Sequence, residues 1–105
     1  CNMYSDSSIK GAQTFYNEKI KENKMLASSI HSKIKSILKN TTREIKNITG
    51  KYLVDNATTI GVLIELGFLS NEAEFNLLNS ASYQDNIAYC IYIGIIQFLG
   101  INNNL

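Results

Sequence analysis

The chain has 105 residues, enough for one small domain with a modest core. Its 45% hydrophobic and 18% charged residues describe a folded globular chain and exclude a disordered one. The formal net charge is +1 and the lysines are scattered, so there is no basic stripe for a nucleic-acid module.

The chain opens at Cys1, with no initiator Met and no signal peptide, and reads as beginning in mid-domain. A lipidated cysteine would also start a chain this way. However, the residues after Cys1 do not read as a flexible tether. Residues 1 to 10 are polar and loop-like. Gly11-Ala12-Gln13-Thr14-Phe15-Tyr16 reads as a short strand after a glycine. A helix is expected from about Asn23 to Lys39, with Leu26, Ile30, Ile34, Ile37 and Leu38 on one face. Its lysines, with Lys19 and Lys21 ahead of it, read as a solvated face. Residues 40 to 50 read as a polar connection closed by Gly50, and Tyr52-Leu53-Val54 as a second strand.

Gly61-Val62-Leu63-Ile64 is a continuous apolar run of strand length. Without alternation it suggests a strand covered on both faces, as in a parallel sheet. Asn71 offers an N-cap with Glu74 three residues on, opening a short helix to about Asn79. Ser82 is read as the cap of a last helix, with Asp85 in its first turn. Ile87, Ile91, Ile95 and Phe98 are expected on its buried face. Tyr89, Ile93 and Ile96 make it apolar nearly all round, which predicts burial in a larger body. The run Ile87 to Ile101, broken by Gln97 and two glycines, is too short to span a membrane. The order of elements predicts a layered α/β fold: a mostly parallel sheet flanked by helices, about half of a domain.

Two side chains invite chemistry. Glu65 ends an apolar strand, where an ionised carboxylate costs several kcal/mol unless paired, hydrogen-bonded or metal-linked. The end of a strand is also where open α/β sheets place their active sites. A Glu paired with Arg43 or a lysine is the plain structural alternative. His31 is the only histidine. Its helical neighbours Ala27 and Lys35 are not ligands, so it reads as a solvent-facing or rim residue. Cys1 and Cys90 form no CxxC pair, and Cys90 reads as a small buried hydrophobe.

The segment Gly61-Val62-Leu63-Ile64-Glu65-Leu66-Gly67-Phe68-Leu69-Ser70-Asn71 closely resembles the signature of the zinc-dependent N-acetylmuramoyl-L-alanine amidases of the amidase_3 family. The resemblance runs along nearly the whole chain. It takes in Gly11 to Tyr16, Asn23-Lys24-Met25-Leu26-Ala27, Arg43 with Lys46, and Tyr83-Gln84 with Ile87-Ala88 and Gly94-Ile95. Within the family the chain resembles the spore-cortex amidases of the CwlD type. Two departures stand out. Thr59-Ile60-Gly61 lacks the family's proline, and Thr42 replaces an asparagine beside Arg43.

The resemblance implies a peptidoglycan hydrolase that cleaves the amide between N-acetylmuramic acid and L-alanine of the stem peptide, with Glu65 as general base. It implies zinc in the complete enzyme, held by a histidine immediately before Cys1 and by an upstream histidine and glutamate. This chain then carries no metal ligand and is expected to be inactive alone. Asn2 is expected to line the site and Arg43 to bind a peptide carboxylate, a surface salt bridge being the alternative for Arg43. The implied setting is the cell envelope or the extracellular space, by secretion or association with the forespore of a sporulating Gram-positive bacterium, with a protein activator left open. The rival expectation is a non-catalytic piece that binds wall or partner.

Overall fold

A computed structural model describes residues 11–67 and 72–103 of the chain. In chain order the elements are β1 (Gln13–Tyr16), α1 (Glu22–Lys33), a π-helical turn (Ile34–Leu38), β2 (Lys46–Asn47), α2 (Tyr52–Asp55), β3 (Leu63–Glu65), α3 (Glu72–Leu78) and α4 (Ala81–Asn103). Asn71, expected as the cap of α3, and the side chain of Glu74 lie outside the described residues, as does Cys1.

The strands form one sheet in the order β2-β1-β3. β1 is parallel to β2 through Phe15↔Lys46 and Tyr16↔Asn47. It is antiparallel to β3 through Gln13↔Glu65, Thr14↔Ile64 and Phe15↔Leu63. The layered α/β class holds, and the sheet is mixed rather than mostly parallel. An unbroken apolar run states that a strand is covered but not which way it points. The expectation of a parallel strand over Gly61 to Ile64 is therefore corrected: β3 runs antiparallel to β1.

Strand alternation sorts the two faces of the sheet. Val62 and Ile64 pack against the core made by Ala12, Leu26, Ile30, Ile34, Cys90 and Phe98, so α1 and α4 cover this face. Thr14, paired with Ile64, shares it. Gln13, Phe15, Leu63 and Glu65 therefore project from the opposite face.

Helix α1 buries Leu26, Ala27 and Ile30 as its period requires and the π turn continues the stripe with Ile34, but Ile37 is 41% exposed. The π turn is the reason: the Lys39 amide bonds back five residues to the Ile34 carbonyl, at 3.4 Å, and the wider turn rotates Ile37 off the apolar stripe. Lys39, at φ 56°, then ends the helix in the left-handed region. In α4 the buried residues are Tyr83, Ile87, Cys90, Gly94 and Phe98, while Ile95 is exposed. The seam follows its smallest side chains because α1 and α4 touch closely there. A Cβ on Gly94 would lie 2.6 Å from the Ile30 Cα. Ser29 Oγ closes the contact by donating to the Gly94 carbonyl at 2.6 Å. The cap of α4 is Ser80, not Ser82: its hydroxyl accepts the Tyr83 amide at 3.2 Å and its carbonyl accepts the Gln84 amide.

Tyr52-Leu53-Val54 is one helical turn rather than a strand. Asp55 folds it back by accepting the Gly50 amide at 2.9 Å and the Asn17 side-chain amide at 3.2 Å. Two asparagines also organise the turn between β1 and α1. Asn17 donates to the Ile48 carbonyl and accepts the Lys19 amide, and buried Asn23 donates to the Asn17 carbonyl. Asn23 then accepts the Gly61 amide at 2.8 Å, which sets the entry to β3.

Candidate active site

Glu65 closes β3, half-buried, on the sheet face opposite α1 and α4. Its cross-strand neighbour is Gln13, itself buried. Directly opposed residues in an antiparallel pair hold their Cβ atoms about 5 Å apart. The Gln13 side-chain amide donates to the Glu44 carbonyl at 2.9 Å. This places the peptide following Glu44 beside β1, at the residue that pairs with Glu65 on the next strand. Arg43 and Glu65, separated by 22 positions in sequence, thus approach one end of the sheet.

The loop that carries Arg43 has no regular structure from Lys39 to Ile45, yet side chains pin it throughout. Thr41 Oγ1 donates to the Ala12 carbonyl at 2.8 Å and accepts the Arg43 amide at 3.0 Å. Gly11 leaves the room for this, since a Cβ there would meet Thr41 Oγ1 at 2.6 Å. Asn40 Nδ2 donates to the Tyr83 hydroxyl at 2.6 Å. Lys35 forms an ion pair with Glu44, and its ammonium holds the Glu44 carboxyl below the usual carboxylate range.

His31 does not face solvent and is not on a rim. It is 2% exposed, wedged between β1 and the Arg43 loop. Nε2 lies 2.6 Å from the Arg43 carbonyl and Nδ1 lies 3.0 Å from Thr14 Oγ1. A carbonyl only accepts, so Nε2 carries the proton, and in the neutral ring Nδ1 accepts from the threonine hydroxyl. Both nitrogens are committed, which removes His31 as a metal ligand. Among the described residues no group of three or more His, Cys, Asp or Glu side chains can hold a metal ion. The residues described do not fit a zinc site. Cys90 is fully buried, and desolvation pushes its thiol up, away from the reactive thiolate.

The structure thus brings Glu65 and the Arg43 loop together through Gln13, while Asn2 lies outside the described residues. Lys46 is exposed on β2, opposite Phe15. Gln13, Thr41 and His31 were not singled out as site residues from the sequence. The only signal for Gln13 was a polar side chain inside a short apolar strand.

The family model described as N-acetylmuramoyl-L-alanine amidase matches residues 1–97. The germination-specific N-acetylmuramoyl-L-alanine amidase of Bacillus subtilis is 48% identical over 97 residues, covering 92% of this chain and 41% of that protein. Among solved structures, the CwlD amidase of Clostridioides difficile, in complex with the GerS lipoprotein, superposes with a TM-score of 0.90 at 40% identity. The match covers 95% of this chain and 51% of that one. The catalytic domain of CwlV, an N-acetylmuramoyl-L-alanine amidase from Bacillus (Paenibacillus) polymyxa var. colistinus, gives 0.83 at 27% identity, covering 94% and 54%. The chain spans about half the length of these solved relatives and less of the Bacillus subtilis protein. Sequence and fold agree along nearly all of its residues: the chain belongs to the N-acetylmuramoyl-L-alanine amidase family.

Proposed function

We propose that the complete protein hydrolyses the amide between the lactyl group of N-acetylmuramic acid and L-alanine of the stem peptide, with Glu65 as general base. One observation carries this reading. Glu65 stands at the end of β3, half-buried, within the motif where the chain resembles the amidases. Glu65 takes a proton from the attacking water as the oxygen adds to the amide carbonyl. It then returns that proton to the nitrogen of L-alanine as the C–N bond breaks, and the water's second proton passes from the new lactyl carboxylic acid to solvent or the free amine, leaving a lactyl carboxylate. The guanidinium of Arg43 is the group proposed to bind a stem-peptide carboxylate, its planar fork matching two oxygens. Asn2 is proposed to line the same site.

Zinc belongs to this proposal on ligands other than the described residues: a histidine before Cys1 and a histidine and glutamate further upstream. The Clostridioides difficile relative was solved with a lipoprotein, and a protein activator is part of the reading. So is a role in spore-cortex processing at the cell envelope, which the name of the Bacillus subtilis relative supports. Among the described residues no helix is long and apolar enough to cross a membrane.

The test is Glu65→Gln in the complete protein, assayed on muramoyl-peptide. Loss of the general base is expected to lower kcat by about 10²–10⁴-fold, with the circular dichroism spectrum and bound zinc unchanged. Cleavage at the parental rate would overturn the assignment.

A further inference from the structure

We propose that Gln13 is a positioning residue that fixes the Arg43 loop relative to Glu65. The inference rests on the amidase reading of the site. Gln13 is buried in the middle strand of the sheet, where an apolar side chain would pack without a polar cost. Its amide is satisfied by a partner far along the chain, the Glu44 carbonyl. Backbone pairing between β1 and β2 starts only at Phe15↔Lys46. Ahead of that point side chains replace the ladder. Gln13 holds the Glu44 carbonyl from the Glu65 face of the sheet, and His31 holds the Arg43 carbonyl from the helix face. Thr41 Oγ1 ties the start of the same segment to Ala12.

The two carbonyls are therefore clamped from opposite sides. Only one of the clamping side chains, Gln13, also stands across from Glu65. It links the strand with the proposed base to the loop with the proposed carboxylate-binding cation. Holding such groups at a set separation before substrate arrives is worth more than either contact alone, because a misplacement of about 1 Å can cost 10²-fold.

The experiment is a double-mutant cycle in the complete protein with a muramoyl-peptide bearing a free stem carboxylate. Gln13→Met keeps the length of the side chain and removes its donor. KM is expected to rise about fivefold to tenfold with kcat changed less than twofold, the pattern of lost substrate positioning. In an Arg43→Ala background the same substitution is expected to change KM by less than twofold, because Gln13 acts through the arginine. Gln13→Leu, which also removes the donor, repeats the cycle if the Met variant does not fold.

Additive effects on KM, or a loss confined to kcat, would overturn the positioning role and leave Gln13 as a packing residue. An Arg43→Ala enzyme with parental KM would also overturn it, by removing the group through which Gln13 acts. Neither result touches the general base. Failure of the amidase reading itself would show separately, as parental cleavage by Glu65→Gln.

Discussion

His31 joins three parts of the molecule through one ring. It sits on α1, accepts from Thr14 on β1 and donates to the Arg43 carbonyl in the loop. In His31→Leu the hydroxyl and the carbonyl both lose their partner in a buried place. Each such orphan costs about 1–3 kcal/mol, so the variant is expected to lose about 2–5 kcal/mol of unfolding free energy. Urea denaturation measures this, and adding Thr14→Val should return part of it by removing one orphan. A loss under about 0.5 kcal/mol would show that the ring contributes packing only. The residue scale is also where sequence reading divides most sharply. Glu65 was legible because its neighbours in sequence are apolar and because the motif around it is long. His31 was not, since its partners come from positions 14 and 43, and no local window contains them. The same holds for Asn17 and Asn23. They tie β1, α1 and the entry to β3 together.

At the scale of elements, the close approach of α1 and α4 turns on Gly94. A Cβ there meets backbone of Ile30 at 2.6 Å, and backbone does not swing aside as a side chain would. Gly94→Val is expected to force the helices apart and lower stability by about 1–3 kcal/mol, read as a fall in thermal midpoint. Ile96→Val, on the exposed side of α4, serves as the near-neutral control. Equal midpoints for both variants would contradict the packing. Hydrophobic period located both helices and most of their buried faces: Leu26, Ile30 and Ile34 in the first, Ile87 and Phe98 in the second, with Ile91 packed against the core. In the first the π turn shifts the phase after Ile34. In α4 the seam also selects Cys90 and Gly94 for their size, whereas a hydrophobic pattern favours Ile95. Tyr52-Leu53-Val54 has strand-like composition, but the carboxylate of Asp55 captures local amides and closes a helical turn. Residues 40 to 50, expected as a polar connection, hold β2 and the pinned loop.

At the scale of the molecule, the sheet has three strands among the described residues, and α4 leaves Tyr89, Tyr92 and Ile96 exposed at 55%, 61% and 47%. A helix apolar on both sides was readable from sequence as part of something larger, and the chain spans about half of its solved relatives. The expected outcome is that the 105 residues alone release no L-alanine amine from muramoyl-peptide and hold no stoichiometric zinc, while the longer protein does both. Amine release and metal analysis on the two preparations decide it. Cleavage by the 105-residue chain would show that its own side chains suffice. The fold class was visible in the order of elements. The strand directions were not, because direction is fixed by which distant strands meet.

Among the described strands, β1 is made first, and both of the others pair with it. On the ribosome β1 emerges well before β2, and β3 later still, since Gln13 must wait for Glu65. At usual rates of synthesis that interval is on the order of several seconds. Helix α1, built from local contacts, forms far faster. It emerges directly after β1 and offers the nascent strand a first anchor in the bond between His31 and Thr14. A histidine that pins the Arg43 loop would then also hold β1 to α1 while the chain is still being translated.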